Sequence, residues 1–206
     1  MNHDMVFSKC QDTGERGELN HLLYYISHNP FKCEEVKALL TQREIAVETA
    51  LLEIKEIQSS SIEEIARDKA KKAFAKIKRP LLVEQTGLVI EGYNGFPGGL
   101  TQLVWDAIGA ESFCKLFGGK AAKAMSIFAY CDGKKVFFSY GETKGQISNE
   151  PLEKSMFQWD TVFIPEDYTN TFSEMTPEEK NKVSMRRKAL DEFEKSWRLS
   201  DGHKSN

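Results

Sequence analysis

The feature that most constrains the fold is one unit that occurs twice near the start: an apolar strand run, a polar corner, then a stretch with helical spacing. "LLYYI" (22–26) leads through "SHN" into "PFKCEEVKALLTQ", where Pro30 suits a first helical turn and Phe31, Val36, Leu39 and Leu40 give an apolar side. "AVETALLEI" then leads into "SIEEIARDKAKKAFAKIK". There Ser61 and Glu64 have capping-box spacing, and Ile62, Ile65, Ala66, Lys69, Ala73 and Ile77 fall near one helical face. A lysine on that seam is unusual, because core-facing positions rarely carry an unpaired charge.

Further along, "LLVEQTGLVIE" (81–91) reads as a strand, a polar turn at Glu84-Gln85-Thr86, and a second strand. A glycine-rich corner, "YNGFPGGL", precedes a helical stretch from about 100 to 118, with boundaries uncertain by roughly 2–4 residues. "AMSIFAYC", "KKVFFSYGE" and "TKGQIS" read as three strands of a meander, with Asp132-Gly133 as the tight turn. Thr176, Pro177 and Glu179 then open a last helix expected to run to about Trp197. Strand–helix units followed by a meander indicate an α/β protein with a mixed rather than purely parallel sheet. One domain is expected over 21–198, between polar tails at 1–20 and 199–206.

Composition narrows the partners. With 206 residues, 40% of them hydrophobic, the chain can bury a sizeable core. A formal charge of -3 and the lack of a long basic block argue against nucleic acid as a partner. No apolar run approaches the roughly 18 residues of a membrane span, so no membrane partner and a cytoplasmic location are expected. Cys10, Cys33, Cys114 and Cys131 form no CxxC pair and read as free thiols, and His3, His21, His28 and His203 are too scattered for a zinc site.

Three stretches in order carry a resemblance. Ser27-His28-Asn29-Pro30-Phe31-Lys32-Cys33-Glu34-Glu35 is similar to [ST]-x-N-x-x-K-x-x-E at a first strand-to-helix turn. The stretch at 81–91 is followed by "FPGG". Last, "FQWDTVFIP" is followed by "SMRRKAL". Together they resemble the inosine triphosphate pyrophosphatase (Ham-type) family, which clears deaminated purine nucleoside triphosphates such as ITP, dITP and XTP. The resemblance implies a mixed elongated sheet flanked by helices, in two lobes with a nucleotide cleft between them, and a homodimer or hetero-oligomer.

The resemblance also implies site roles. Ser27, Asn29, Lys32, Lys69 and Lys180 would hold the triphosphate, whose charge near -4 needs several cations or a metal. The helix start at Asn29 adds its dipole to that cradle. Phe157 would stack on the purine, and Trp159, Asp160, Ser184 and Arg186 would line its edge. An arginine only donates, so it favours a 6-oxo group over a 6-amino group. Glu56 and Glu84 would hold Mg²⁺.

Four positions depart from the pattern. Gln85 stands where the family has an aspartate, and a carboxamide can hold a water but cannot take its proton. It is also a poor Mg²⁺ ligand. Met185 replaces a histidine and offers neither donor nor titrating group. Gln158 replaces a glycine, and Gln102 lies near a position often occupied by lysine. Binding residues therefore survive while part of the reacting set is degenerate. That favours a catalytically impaired receiver that signals a bound nucleotide to a protein effector, for instance during nucleotide stress or antiviral defence. The alternative is a working Mg²⁺-dependent pyrophosphatase yielding monophosphate and pyrophosphate. A fold kept only as an interaction surface is disfavoured by the surviving cations.

Overall fold

The computed structural model describes residues 22–152 and 158–201, with the side chains of 158 and 199–201 left aside. Strand β1 (Leu23–Ser27), helix α1 (Pro30–Thr41) and strand β2 (Val47–Leu51) form the first unit, and α2 (Ile62–Ile77) leads to β3 (Leu81–Ile90). After the short β4 (Pro97–Gly98) come α3 (Thr101–Phe117), β5 (Ala121–Cys131), β6 (Val136–Ile147) and β7 (Phe163–Pro165). Helices α4 (Pro177–Val183) and α5 (Met185–Asp201) complete the order, with α5 extending three residues into the segment read as a tail.

One seven-stranded sheet runs β2-β1-β3-β5-β6-β7, with β4 beside β3. Its β2-β1-β3 part is parallel and the rest antiparallel, so the expected mixed sheet is observed. Cores lie on both faces. Even-numbered β3 residues such as Leu82 join Leu23, Tyr25, Phe128 and Leu190 under α1 and α5. Odd-numbered Leu81 and Val83 join Ile26, Ala66, Ala70 and Ile127 under α2. A third core gathers Leu88, Phe113, Ala124, Phe163, Phe172 and Met185 around α3.

Three local expectations are corrected. The stretch 81–91 has no turn: β3 is a single ten-residue strand, and Glu84, Gln85 and Thr86 sit in register with Phe128, Ile127 and Ser126. Polar residues are tolerated mid-strand here because partners from the helices meet them. The glycine that suggested a turn, Gly87, instead admits β4, since a Cβ there would lie 2.3 Å from the Gly98 carbonyl oxygen. Next, "KKVFFSYGE" and "TKGQIS" are one strand, β6, so the meander is a long β5–β6 hairpin. Asp132 holds its turn by accepting from the Lys134 and Lys135 amides. The last helix is broken at Ser184, whose extended backbone (ψ 130°) separates α4 from α5.

Helix ends follow local chemistry. Thr176 and Glu179 form the complete capping box read from sequence. At α2 only half the box exists: Ser61 accepts from the Glu64 amide, while the Glu64 carboxylate accepts from Ser59.

Candidate functional site

A cleft of about 350 Å³ opens where the C-terminal end of β1, the middle of β3, the turn before β7 and the α4–α5 break converge. Its lining contains Ser27, Asn29, Lys32, Glu56, Lys69, Glu84, Gln85, Trp159, Asp160, Lys180, Met185 and Arg186, along with His28, Thr86, Thr101 and Gln102. Nearly the whole expected constellation is therefore gathered in one place. Ser184 is near but does not line the cleft, and Phe157 lies outside the described residues. A larger recess of about 890 Å³ elsewhere, bordered by Glu91, Lys123, Lys144 and Glu166, contains none of these residues.

At the phosphate end, the Asn29 Oδ1 caps α1 by accepting from the Phe31 and Lys32 amides at 3.0 and 3.2 Å. The Asn29 amide in turn donates to Ser27 Oγ at 3.1 Å. Lys32 thus sits in the first helical turn, where a cation opposes the helix dipole. It is offset from across the cleft by Glu84, 3.5 Å away, and by Thr86 Oγ1, also 3.5 Å away. Burial pulls the Lys32 ammonium pKa down, and the Glu84 charge works against that shift.

The Glu84 carboxylate is 3% exposed and fully engaged. Oε1 accepts from Arg186 Nε and from Ser126 Oγ, both at 2.8 Å, and Oε2 accepts from the Arg186 NH2 group at 3.2 Å. Burial alone would raise its pKa, but Arg186, Lys32 and these hydrogen bonds hold it at about 2. Arg186 also donates to Glu35 at 2.6 Å, and its pKa stands well above the ordinary arginine value although burial opposes it. Behind the pair, the buried Tyr25 hydroxyl has no hydrogen-bond partner among the described residues, and burial pushes its pKa up.

On the opposite face of β3, Gln85 meets α2. The Lys69 ammonium, on a residue only 7% exposed, donates to Glu56 at 2.7 Å, to the Glu84 carbonyl at 3.1 Å and to Gln85 Oε1 at 3.4 Å. Gln85 Nε2 donates to the other Glu56 oxygen at 3.2 Å. The lysine that looked anomalous on the α2 seam is thus satisfied by three oxygens.

These contacts bear on Mg²⁺. Both Glu84 oxygens hold cations or hydroxyl, Gln85 is uncharged, and Glu56 is the one partly exposed carboxylate of the cluster. Among the described residues no group of three or more His, Cys, Asp or Glu could hold a metal ion. The donor set does not fit a protein-held Mg²⁺, and Glu84 serves Arg186 rather than a metal.

At the base end, a 3-10 turn (Gln158–Thr161) presents Trp159 and Asp160. Trp159 packs edge-on against Phe163, with ring centroids 6.3 Å apart. Asp160, buried, is ion-paired with Lys180 of α4. Burial raises its pKa, and Lys180 opposes the rise. Ser184 accepts from the Arg186 amide at 3.1 Å and so caps α5. The start of α5 can approach β6 because Gly141 lacks a Cβ, which would fall 1.9 Å from the Met185 carbonyl oxygen. Sequence reasoning missed His28, Thr86, Ser126 and Glu35. Only Glu35 carried a signal, as the final residue of the 27–35 motif.

A mixed-sheet α/β fold with a cleft walled by paired cations and carboxylates defines a class of protein suited to a small anionic ligand. The Ham1 family model matches residues 23–196, so the chain belongs to the Ham1 family. It is 40% identical over 174 residues to a dITP/XTP pyrophosphatase of Methanopyrus kandleri, covering 82% of this chain and 92% of that protein. An inosine triphosphate pyrophosphatase of Trypanosoma cruzi is 38% identical over 180 residues, covering 85% and 91%. Among solved structures, a HAM1 protein from Coxiella burnetii superposes with a TM-score of 0.73 at 24% identity, covering 87% of this chain and 98% of that one. No helix among the described residues is long and apolar enough to cross a membrane.

Proposed function

We propose that the cleft binds deaminated purine nucleoside triphosphates (dITP, ITP or XTP) and that the chain is a nucleoside triphosphate pyrophosphatase, releasing the monophosphate and pyrophosphate. The observation that carries this is the meeting, in one cleft, of Lys32 and Lys69 at one end with Trp159, Asp160 and Lys180 at the other. The names of the relatives support hydrolysis over the receiver reading.

Each wall has a task. Lys32 and Lys69 offer ammonium donors to phosphate oxygens, and the α1 N-terminus adds its dipole. Asp160 accepts from a protonated ring nitrogen of a 6-oxopurine, a contact that adenine, unprotonated there, cannot return. Arg186 and Lys180 are donors only, which suits a 6-oxo group and leaves a 6-amino group unpaired. Glu56, partly exposed beside Lys69, is the carboxylate placed to hold a water attacking the α-phosphorus.

A second reading is favoured by two residues. Gln85 and Met185 line the cleft where the family pattern has an aspartate and a histidine, and neither moves a proton. In that reading the nucleotide is held with little turnover, and the bound state shifts the conformational balance of a partner effector. Pyrophosphate release from dITP, measured beside a direct titration, separates the two. Turnover of about 1–10³ s⁻¹, the ordinary enzyme range, supports the pyrophosphatase. Tight binding with turnover slower by a factor of about 10² or more supports the receiver.

A further inference from the structure

We propose that the triphosphate is bound without a protein-held divalent cation, the Lys69 ammonium occupying the position from which such an ion would act. The inference rests on the nucleotide-binding reading above and concerns how that site balances charge.

Lys69 Nζ is surrounded as a small cation would be, with a carboxylate oxygen of Glu56, a carboxamide oxygen of Gln85 and a backbone oxygen of Glu84 at 2.7 to 3.4 Å. The network fixes the orientation of the amide. Reversing Gln85 would set an NH₂ against the ammonium and an oxygen against the Glu56 carboxylate, replacing two favourable contacts with two repulsive ones. Gln85 is thus a connector that only a neutral amide can be, accepting from Lys69 while donating to Glu56.

The same geometry shows why a divalent ion has no place. Mg²⁺ takes near-octahedral oxygen ligands and is held through one or two carboxylates along with substrate phosphates. Here the nearest second carboxylate, Glu84, faces the other side of the sheet and is saturated by Arg186 and Ser126. One carboxylate already paired to an ammonium leaves too little negative charge to draw a dehydrated divalent ion from water. A lysine in that position is a single charge that needs no loading.

Gln85→Glu is isosteric and reverses this logic. It would set a carboxylate oxygen about 3.2 Å from Glu56, by the present amide distance, and create a two-carboxylate cation site.

The test is a titration of native protein with a non-hydrolysable dITP analogue carrying a methylene between the α- and β-phosphates, once in excess EDTA and once in Mg²⁺. Dissociation constants within about threefold of each other are expected. A loss of tenfold or more in EDTA alone overturns the inference and leaves the nucleotide reading standing. Absence of binding in both conditions overturns both. Mn²⁺ titration followed by electron paramagnetic resonance, without nucleotide, is expected to show no stoichiometric site in the native chain and one in Gln85→Glu. A native Mn²⁺ site, or a folded Gln85→Glu protein that gains neither Mn²⁺ nor Mg²⁺ dependence, contradicts it.

Discussion

Glu84 and Gln85 are adjacent on one strand, yet they serve opposite faces of the sheet and meet charge in different ways. On the Glu84 face, a full carboxylate is buried against Arg186, with Ser126, Lys32 and Glu35 completing a closed network. On the Gln85 face, a neutral amide bridges a lysine and a glutamate, and Glu56 remains partly exposed. Strand alternation alone assigns the two residues to separate helices, one to α5 and the other to α2. The lesson is that a double-acid motif on one strand need not be a shared metal site. One member can be an anchor for an arginine while only its neighbour faces the chemistry.

The strongest way to break the contrast is to remove one partner from the closed face. Arg186→Met leaves the Glu84 carboxylate buried with its main cation gone, and a loss of about 3–5 kcal/mol is expected in urea unfolding. The double variant Arg186→Met with Glu84→Gln should recover much of that loss, since both charges go together. Full additivity of the two single losses would show that the residues are not paired.

Acid should probe the same face more gently. The Glu84 pKa in the folded chain, about 2, lies below the ordinary glutamate value. Its contribution is therefore complete above about pH 4.3, the unfolded value, and is lost as pH falls toward about 2. Roughly 3 kcal/mol of stability should disappear through that window, and Glu84→Gln should flatten the decline. Asp160 has the opposite sign: its raised pKa means that its ionisation costs stability as pH rises through the folded value. Subtracting the Asp160→Asn unfolding profile isolates the Glu84 part.

Lys32 links the two faces to ligand, and Lys32→Ala should weaken dITP and dATP alike by about tenfold, the loss of one charge-assisted contact. A change for one base only would move Lys32 from the phosphate end to the base end. The smallest effect is expected at Tyr25, whose buried hydroxyl lacks a partner among the described residues. Tyr25→Phe should leave thermal stability unchanged or raise it by up to about 1 kcal/mol.

Much of this was legible in the sequence, and the gaps have physical reasons. Pro30, Ser61 and Thr176 announced three helix starts because capping chemistry is local. Lys69 announced the cleft, since a lysine on an apolar seam requires a partner. The turn at Glu84-Gln85-Thr86 was misread because polar residues and a glycine inside a central strand imitate a loop until their distant partners are known. Those partners, Arg186 and Lys69, lie 102 and 16 residues away. Likewise the break at Ser184 was hidden by a helical pattern continuing on both sides, and only its cap on Arg186 reveals it.

The most direct test of the account is a side-by-side calorimetric titration of dITP and dATP. The cleft described here, with Asp160 accepting and Arg186 and Lys180 only donating, requires dITP to bind at least about tenfold more tightly, a difference of roughly 1.4 kcal/mol. Equal affinities, or preference for dATP, would contradict it.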